Sequence, residues 1–284
     1  MSKPRTAGPL TAADAAALAC VYTHRITTTG QLLAWLGLPA GDNRYQYRVL
    51  ESLRARKLVA NLRRPRQTQL MWYATAAGAT AAEDAHLVVP RRWRLTEAKA
   101  DSIDPSHTLA VNDAGSALRA IALTAGHECS PLDWNHEIRL LSGKDGTIGG
   151  RSVLIADAVV RMTVNSPDGR YDRTLFLEMD RATMSLAQLV DKLGAYRKYF
   201  EQGTRHWRPI FGQFPEILIV LEGLTEPGLR QRRDDLIRNA WHRRLLRTDS
   251  STLPWLPAGV ATLRELNAGV MPTPIPSPLV SRQW

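Results

Sequence analysis

Leu175-Phe176-Leu177-Glu178-Met179-Asp180-Arg181 is the stretch on which the fold turns. An apolar run closes on acid, methionine, acid, the pattern of a buried strand with a polar end. Successive side chains of a strand point to opposite faces, so Glu178 and Asp180 share one. The expected strand covers 174–179. Upstream, 152–164 reads as a second apolar strand, with Asp157 set inside Ile155-Ala156-Asp157-Ala158. Between the two, Asn165-Ser166-Pro167-Asp168-Gly169 has the composition of a hairpin turn, and pairing through it brings Asp157 near Glu178. Downstream come a helix over 184–201 and an apolar strand over 216–221, the order of a right-handed crossover. A helix over 106–125, with Ser106 as cap, precedes Leu140-Leu141 and a Gly-rich turn over 143–150. The basic helix over 228–247 (Arg230, Arg232, Arg233, Arg238, Arg243, Arg244, Arg247) is open to three uses: DNA contact, dimer element or cover for the sheet. Pro272, Pro274, Pro276 and Pro278 stand at every second position, so 249–284 reads as a Pro-rich extended tail.

The N-terminal part has a different character. Thr11 with Asp14, and Thr28 with Gln31, are capping-box patterns that open two helices, the first ending near Tyr22 and the second stopped by Gly37. A third helix over 44–57 places Val49, Leu50 and Leu53 on one face and Arg44, Tyr47, Arg48 and Glu51 on or near the other. Strands near 58–62 and 69–74 follow, joined by Arg63-Arg64-Pro65-Arg66-Gln67-Thr68. Three short helices and a basic hairpin make a winged helix-turn-helix. Its third helix enters the major groove with Arg44, Tyr47 and Arg48, and Arg63, Arg64 and Arg66 clamp phosphates. Trp72-Tyr73-Ala74-Thr75-Ala76-Ala77-Gly78 resembles the aromatic–Thr–x–x–Gly close of many winged-helix regulators. The alternative for this module is protein contact. Residues 79–105, with Arg91, Arg92 and Arg94 around Trp93, read as a linker or connecting helix.

Charge agrees with that division. The 284 residues carry a formal net charge of +10, and residues 1–100 hold 15 basic and 6 acidic side chains, or +9. Eight basic residues lie within 44–66 (Arg44, Arg48, Arg54, Arg56, Lys57, Arg63, Arg64, Arg66), opposed by Glu51 alone. Such a segment beside a near-neutral remainder is the footprint of a polyanion-binding surface; the bland reading is a solvated face. No apolar run is long enough to span a membrane and the N-terminus lacks an apolar signal core, so a cytoplasmic protein is expected. Cys20 and Cys129 exclude a disulfide scaffold and a four-cysteine zinc site, and read as reduced core thiols.

Carboxylates at adjacent strand ends are hard oxygen ligands suited to Mg²⁺, which can activate water and stabilise a charged phosphate transition state. Asp157 and Glu178 are the expected metal ligands. Asp180 assists, Lys192 orients water or stabilises charge, and Glu137 in Trp134-Asn135-His136-Glu137 and His107 support them. Tyr196 sits one helical turn from Lys192 and can face the same site. The alternatives are ion pairs to Arg181, Arg161 or Lys192, and for His107 a capping or packing role. His127-Glu128-Cys129 lacks the spacing of a zinc site. A Gly-rich phosphate loop, a Gly-x-Ser-x-Gly elbow and the His-hydrophobe-His cluster of a rolling-circle relaxase are absent from the sequence.

This arrangement resembles the PD-(D/E)xK nuclease fold. Over roughly residues 10–222 the chain resembles the replication-relaxation family of plasmid and mobile-element proteins. His107-Thr108-Leu109-Ala110-Val111-Asn112-Asp113, Trp134 with Glu137, Ala156-Asp157-Ala158 and Phe176-Leu177-Glu178-Met179-Asp180-Arg181-Ala182-Thr183 carry the likeness, extended by Lys192 and Tyr196. The sequence departs from the active pattern where Asp180 stands in place of the lysine of Glu-x-Lys, and where Ala156 replaces a common proline.

The fold class expected is mixed α/β (α+β): a winged helix-turn-helix over 8–84, a linker over 85–105, a PD-(D/E)xK nuclease-like α/β domain over 106–248, and the tail. The resemblance implies a double-stranded DNA-binding protein of plasmid replication, relaxation or mobilisation, acting as a metal-dependent endonuclease. The alternative is a non-catalytic replication accessory or regulator with a degenerate nuclease domain. Arg54 joins Arg44, Tyr47, Arg48, Arg63, Arg64 and Arg66 as an expected DNA contact. A homodimer is compatible with either reading; a membrane partner is not expected.

Overall fold

The computed structural model describes residues 8–39, 43–63, 69–91, 94–102, 104–141, 153–201, 207–243, 245 and 256–275. Expectations placed on Arg64, Arg66, Arg92, Trp93, the 143–150 turn, Arg244, Arg247, Pro276 and Pro278 lie outside these residues. The fold is mixed α+β, and the chain divides after Ser116 into two compact units.

The first unit contains α1 (Ala12–His24), β1 (Thr27–Thr28), α2 (Thr29–Leu36), α3 (Asn43–Ala55), β2 (Val59–Leu62), β3 (Met71–Ala74), α4 (Ala76–Asp84), α5 (Glu97–Ser102) and the start of α6 (Ser106–Thr124). Both expected capping boxes form, Thr11 with Asp14 and Thr28 with Gln31, each satisfying backbone N–H groups that a helix start leaves without partners. Gly37 ends α2 in the left-handed conformation, φ 67°. Helix α1 is buried along its whole second half, because its small Ala, Leu and Cys side chains let α2, α3 and α4 pack against it. On α3, Gln46, Val49, Leu50 and Leu53 are buried. The sheet is antiparallel in the order β1-β3-β2, with all of β3 buried.

The aromatic–Thr–x–x–Gly close has a physical basis. The Thr75 hydroxyl accepts the Gly78 N–H at 3.1 Å, capping α4, and donates to the Lys57 carbonyl at 2.7 Å. A Cβ at Gly78 would stand 1.8 Å from the Leu58 carbonyl oxygen, so only glycine lets α4 seat there.

Residues 85–105 differ from the expected linker. Leu95 and Ala100 are buried with Ile26, Leu62, Met71 and Tyr73, and Arg91 lies over the Tyr22 ring at 4.5 Å and donates to the Thr23 carbonyl. Two apolar side chains five residues apart make no readable period; they become core only through partners distant in sequence. At α6 the Asp104 carboxylate, rather than Ser106, provides the cap, accepting the Ser106 N–H at 3.0 Å.

The second unit contains the rest of α6, then β4 (Trp134–Leu141), β5 (Val153–Ser166), β6 (Gly169–Asp180), α7 (Leu186–Glu201), α8 (Arg208–Phe211), β7 (Glu216–Leu221), α9 (Glu226–His242), β8 (Ala258–Thr262), α10 (Leu263–Asn267) and β9 (Thr273–Pro274). One six-stranded sheet runs β4-β5-β6-β7-β8-β9. Strands β4, β5 and β6 form an antiparallel meander, closed between β5 and β6 by the expected turn, where Ser166 pairs with Gly169 at φ 128°. After α7, β7 returns parallel to β6. Helix α9 packs on α7 and buries Leu229, Leu236 and Ala240 in the main cluster with Phe176, Leu193, Ile217 and Ile219. Of its three open uses, cover for the sheet is the one seen. Each large side chain so buried contributes about 1.5–3 kcal/mol of transfer free energy.

The expected tail is also corrected. Strand β8 is buried throughout and pairs parallel with β7, and β9 pairs with β8, so the sheet continues to Pro274. Ala-Gly-Val-Ala-Thr has too little bulk to announce a strand, and the prolines beyond it mask the signal.

Candidate functional site

The backbone ladder between β5 and β6 runs from Ser166 and Gly169 to Ala158 and Leu177. At the next position Asp157 Oδ2 accepts the Met179 N–H at 2.8 Å, so a side chain takes over from the backbone. Towards β4, Ile138 pairs with Ala156 and His136 with Ala158, which sets Asp157 opposite Glu137 in register. Glu137 has φ 48°, an uncommon conformation for a side-chain-bearing residue, and is exposed. Ala156 and Val159 join the same apolar cluster although strict alternation would part them, so the facing phase of β5 changes around Asp157 while its register with β4 is unchanged.

Glu178 is 3% exposed. Lys192 and Tyr196, one turn apart on α7, both reach it: the Lys192 ammonium pairs with Oε2 and the Tyr196 hydroxyl donates to Oε1. Lys192 Nζ also lies 3.6 Å from Asp157 Oδ1. The hairpin and α7 therefore gather Asp157, Glu178, Lys192 and Tyr196 into one cluster. Burial, then the charge of Asp157, push the Glu178 carboxyl up to about 8, against the pull of Lys192 and Tyr196. For Lys192, burial works downward, but Glu178 and Asp157 outweigh it and hold the ammonium above its usual value. Burial and the Glu178 charge raise the Tyr196 phenol well above its ordinary value, so it serves as a neutral donor.

Asp180 shares the Glu178 face yet has other partners. It is 1% exposed, paired with Arg232 of α9 through Nε and, at 3.0 Å, through Nη2, and it accepts the Ala182 N–H at 3.1 Å. Arg232 also donates to the Met184 carbonyl at 2.6 Å. Asp180 is thus a positioning residue that ties the end of β6 to α9. Arg181, an expected ion-pair partner of the cluster, lies instead 3.7 Å from Glu222. His107 lies exposed in the first turn of α6, in the first unit. Among the described residues, no group of three or more His, Cys, Asp and Glu is gathered closely enough to hold a metal ion. Asp157 and Glu178, with hard oxygen donors, are the pair the structure brings together.

In the first unit, α3 turns Arg44, Tyr45, Tyr47 and Arg48 outward, with Tyr47 edge-on to Trp72 at 6.0 Å. Tyr45, 53% exposed, is the face residue the sequence reading missed; an exposed aromatic between two basic residues was its signal. Arg54 is on the same helix but pairs with Glu51 at 2.7 Å. Arg63 is exposed just beyond β2.

These features define a mixed α+β protein with a basic helical face in one unit and a buried carboxylate–lysine–tyrosine cluster at a strand end in the other. The chain belongs to the replication-relaxation family, whose model matches residues 18–217. The match takes in both α3 and the cluster, and ties the chain to replication and relaxation. No curated protein and no solved structure matches it. Among the described residues, no helix is long and apolar enough to cross a membrane.

Proposed function

We propose that this protein binds double-stranded DNA and hydrolyses a phosphodiester bond with a divalent metal ion, in the replication, relaxation or mobilisation of a plasmid or mobile element. The observation that carries the reading is the convergence of Lys192 on Asp157 and Glu178. A lysine from α7 thereby supplies what Asp180 cannot, and this supports an active PD-(D/E)xK-like site with a displaced lysine.

Three helices with the antiparallel β1-β3-β2 sheet support the winged-helix reading of the first unit. Arg44, Tyr45, Tyr47 and Arg48 then face the major groove, and Arg63, with Arg64 and Arg66 beyond it, contacts phosphates. In the second unit Asp157 and Glu178 fit Mg²⁺: both are hard oxygen donors, and the Lys192 ammonium marks a point where one cation reaches both. Mg²⁺ would supply a water of lowered pKa and positive charge for the phosphate. Lys192 stabilises the developing phosphate charge, Tyr196 fixes Glu178, and the Asp180–Arg232 pair holds the strand end still.

The test is incubation of purified protein with supercoiled plasmid, with Mg²⁺, Mn²⁺ or EDTA, beside Asp157→Ala and Glu178→Ala. Metal-dependent nicking lost in both variants is expected. A gel shift without nicking, identical in all three proteins, would favour the second reading, a DNA-binding factor on a retired nuclease frame. That reading has its own support: Lys192 already pairs with both carboxylates where a metal would bind.

A further inference from the structure

We infer that the Lys192 ammonium holds the cation position between Asp157 and Glu178 while no metal is bound, and yields it when a divalent ion arrives. The inference rests on the metal-site reading above and says how that site is kept and opened. The fold holds an oxygen of each carboxylate: Asp157 Oδ2 takes the Met179 N–H at 2.8 Å, and Glu178 Oε1 takes the Tyr196 hydroxyl. The second oxygen of each, Oδ1 and Oε2, faces the same ammonium. Two carboxylates set this firmly would repel one another without a cation between them.

Lys192 is suited to leaving. Its side chain is 22% exposed, where that of Glu178 is 3% exposed, and its four-carbon stem is flexible. Once Glu178 has given up its proton, two carboxylates against one ammonium leave the cluster attractive to a doubly charged ion. Tyr196 stays in place during the exchange and keeps Oε1 occupied, so Glu178 offers the ion Oε2.

The exchange makes a prediction opposite to that for a lysine that helps a metal bind. The full-length chain, free of DNA, is titrated with Mg²⁺ and its thermal unfolding midpoint followed, for wild type, Lys192→Met and Asp157→Asn. Removing the competing charge should lower the half-saturating Mg²⁺ concentration about tenfold or more, and Asp157→Asn should lose the response. A half-saturation in Lys192→Met equal to or weaker than that of wild type overturns the inference and leaves the metal site standing. A response retained in Asp157→Asn, or none in any protein, overturns both. Should Lys192→Met fail to fold, wild type alone suffices: amine labelling of Lys192, read by peptide mass, should rise severalfold when Mg²⁺ is added. Unchanged labelling overturns the inference.

Discussion

Glu178 has almost no water around it and a second carboxylate beside it, so its proton is held far beyond the usual carboxylate range, up to about 8. The consequence for stability has a definite sign. Between about 4.5 and about 8 the unfolded chain has lost the proton while the folded chain keeps it. Stability from this group therefore falls as pH rises through that window and levels off above it. Lys192, Asp157 and Tyr196 face the same carboxyl and set where the fall occurs. Urea unfolding at pH 5 and pH 8 should show the fall in wild type and a smaller one in Glu178→Gln; equal falls would refute it. Asp157 and Glu178 were readable in the sequence because an acid inside an apolar strand is conspicuous. Arg232 was not: which arginine of a basic helix meets Asp180 depends on a partner 52 residues away.

Elements with local signals were legible, and those without were not. Helices α1 and α2 announce themselves through capping boxes, and the β5–β6 hairpin through its turn residues. Strand β1 has two threonines, and β8 has small residues only, so neither carries a period. Position 78 shows how a local pattern encodes a tertiary contact. Thr75 and Gly78 look like a turn signature, yet they seat α4 on the Leu58 carbonyl. Gly78→Ala should destabilise the first unit by about 3 kcal/mol, since backbone rather than a flexible side chain must move. Thermal unfolding would measure it, and a variant as stable as wild type would contradict the contact.

Across the whole molecule, charge is the most legible property and side-chain pairing the least. Residues 1–100 carry +9 of the +10, and α3 presents Arg44 and Arg48 to solvent. If that face meets phosphates, DNA affinity should fall steeply with salt, and Arg44→Ala with Arg48→Ala should reduce the salt slope by about 2. Affinity for duplex DNA unchanged in the double variant would remove α3 from the interface. On the basic helix α9, by contrast, the two half-buried arginines are paired with acids, Arg232 with Asp180 and Arg233 with Glu265. Counting arginines does not tell the two helices apart; the burial pattern and the ion-pair partners do.

The late position of β8 bears on how the chain is made. Translation proceeds from the N-terminus, so the apolar strand β7 emerges before the partner that lines its second edge. Until residues 258–262 leave the ribosome, that edge presents unpaired backbone groups along a greasy strand, a template for coaggregation of nascent chains. A transcript or ribosome that stops short of β8 would thus release a product prone to clump rather than a shortened but folded chain. The small, unassuming Ala-Gly-Val-Ala-Thr segment acts as the seal on newly synthesised protein.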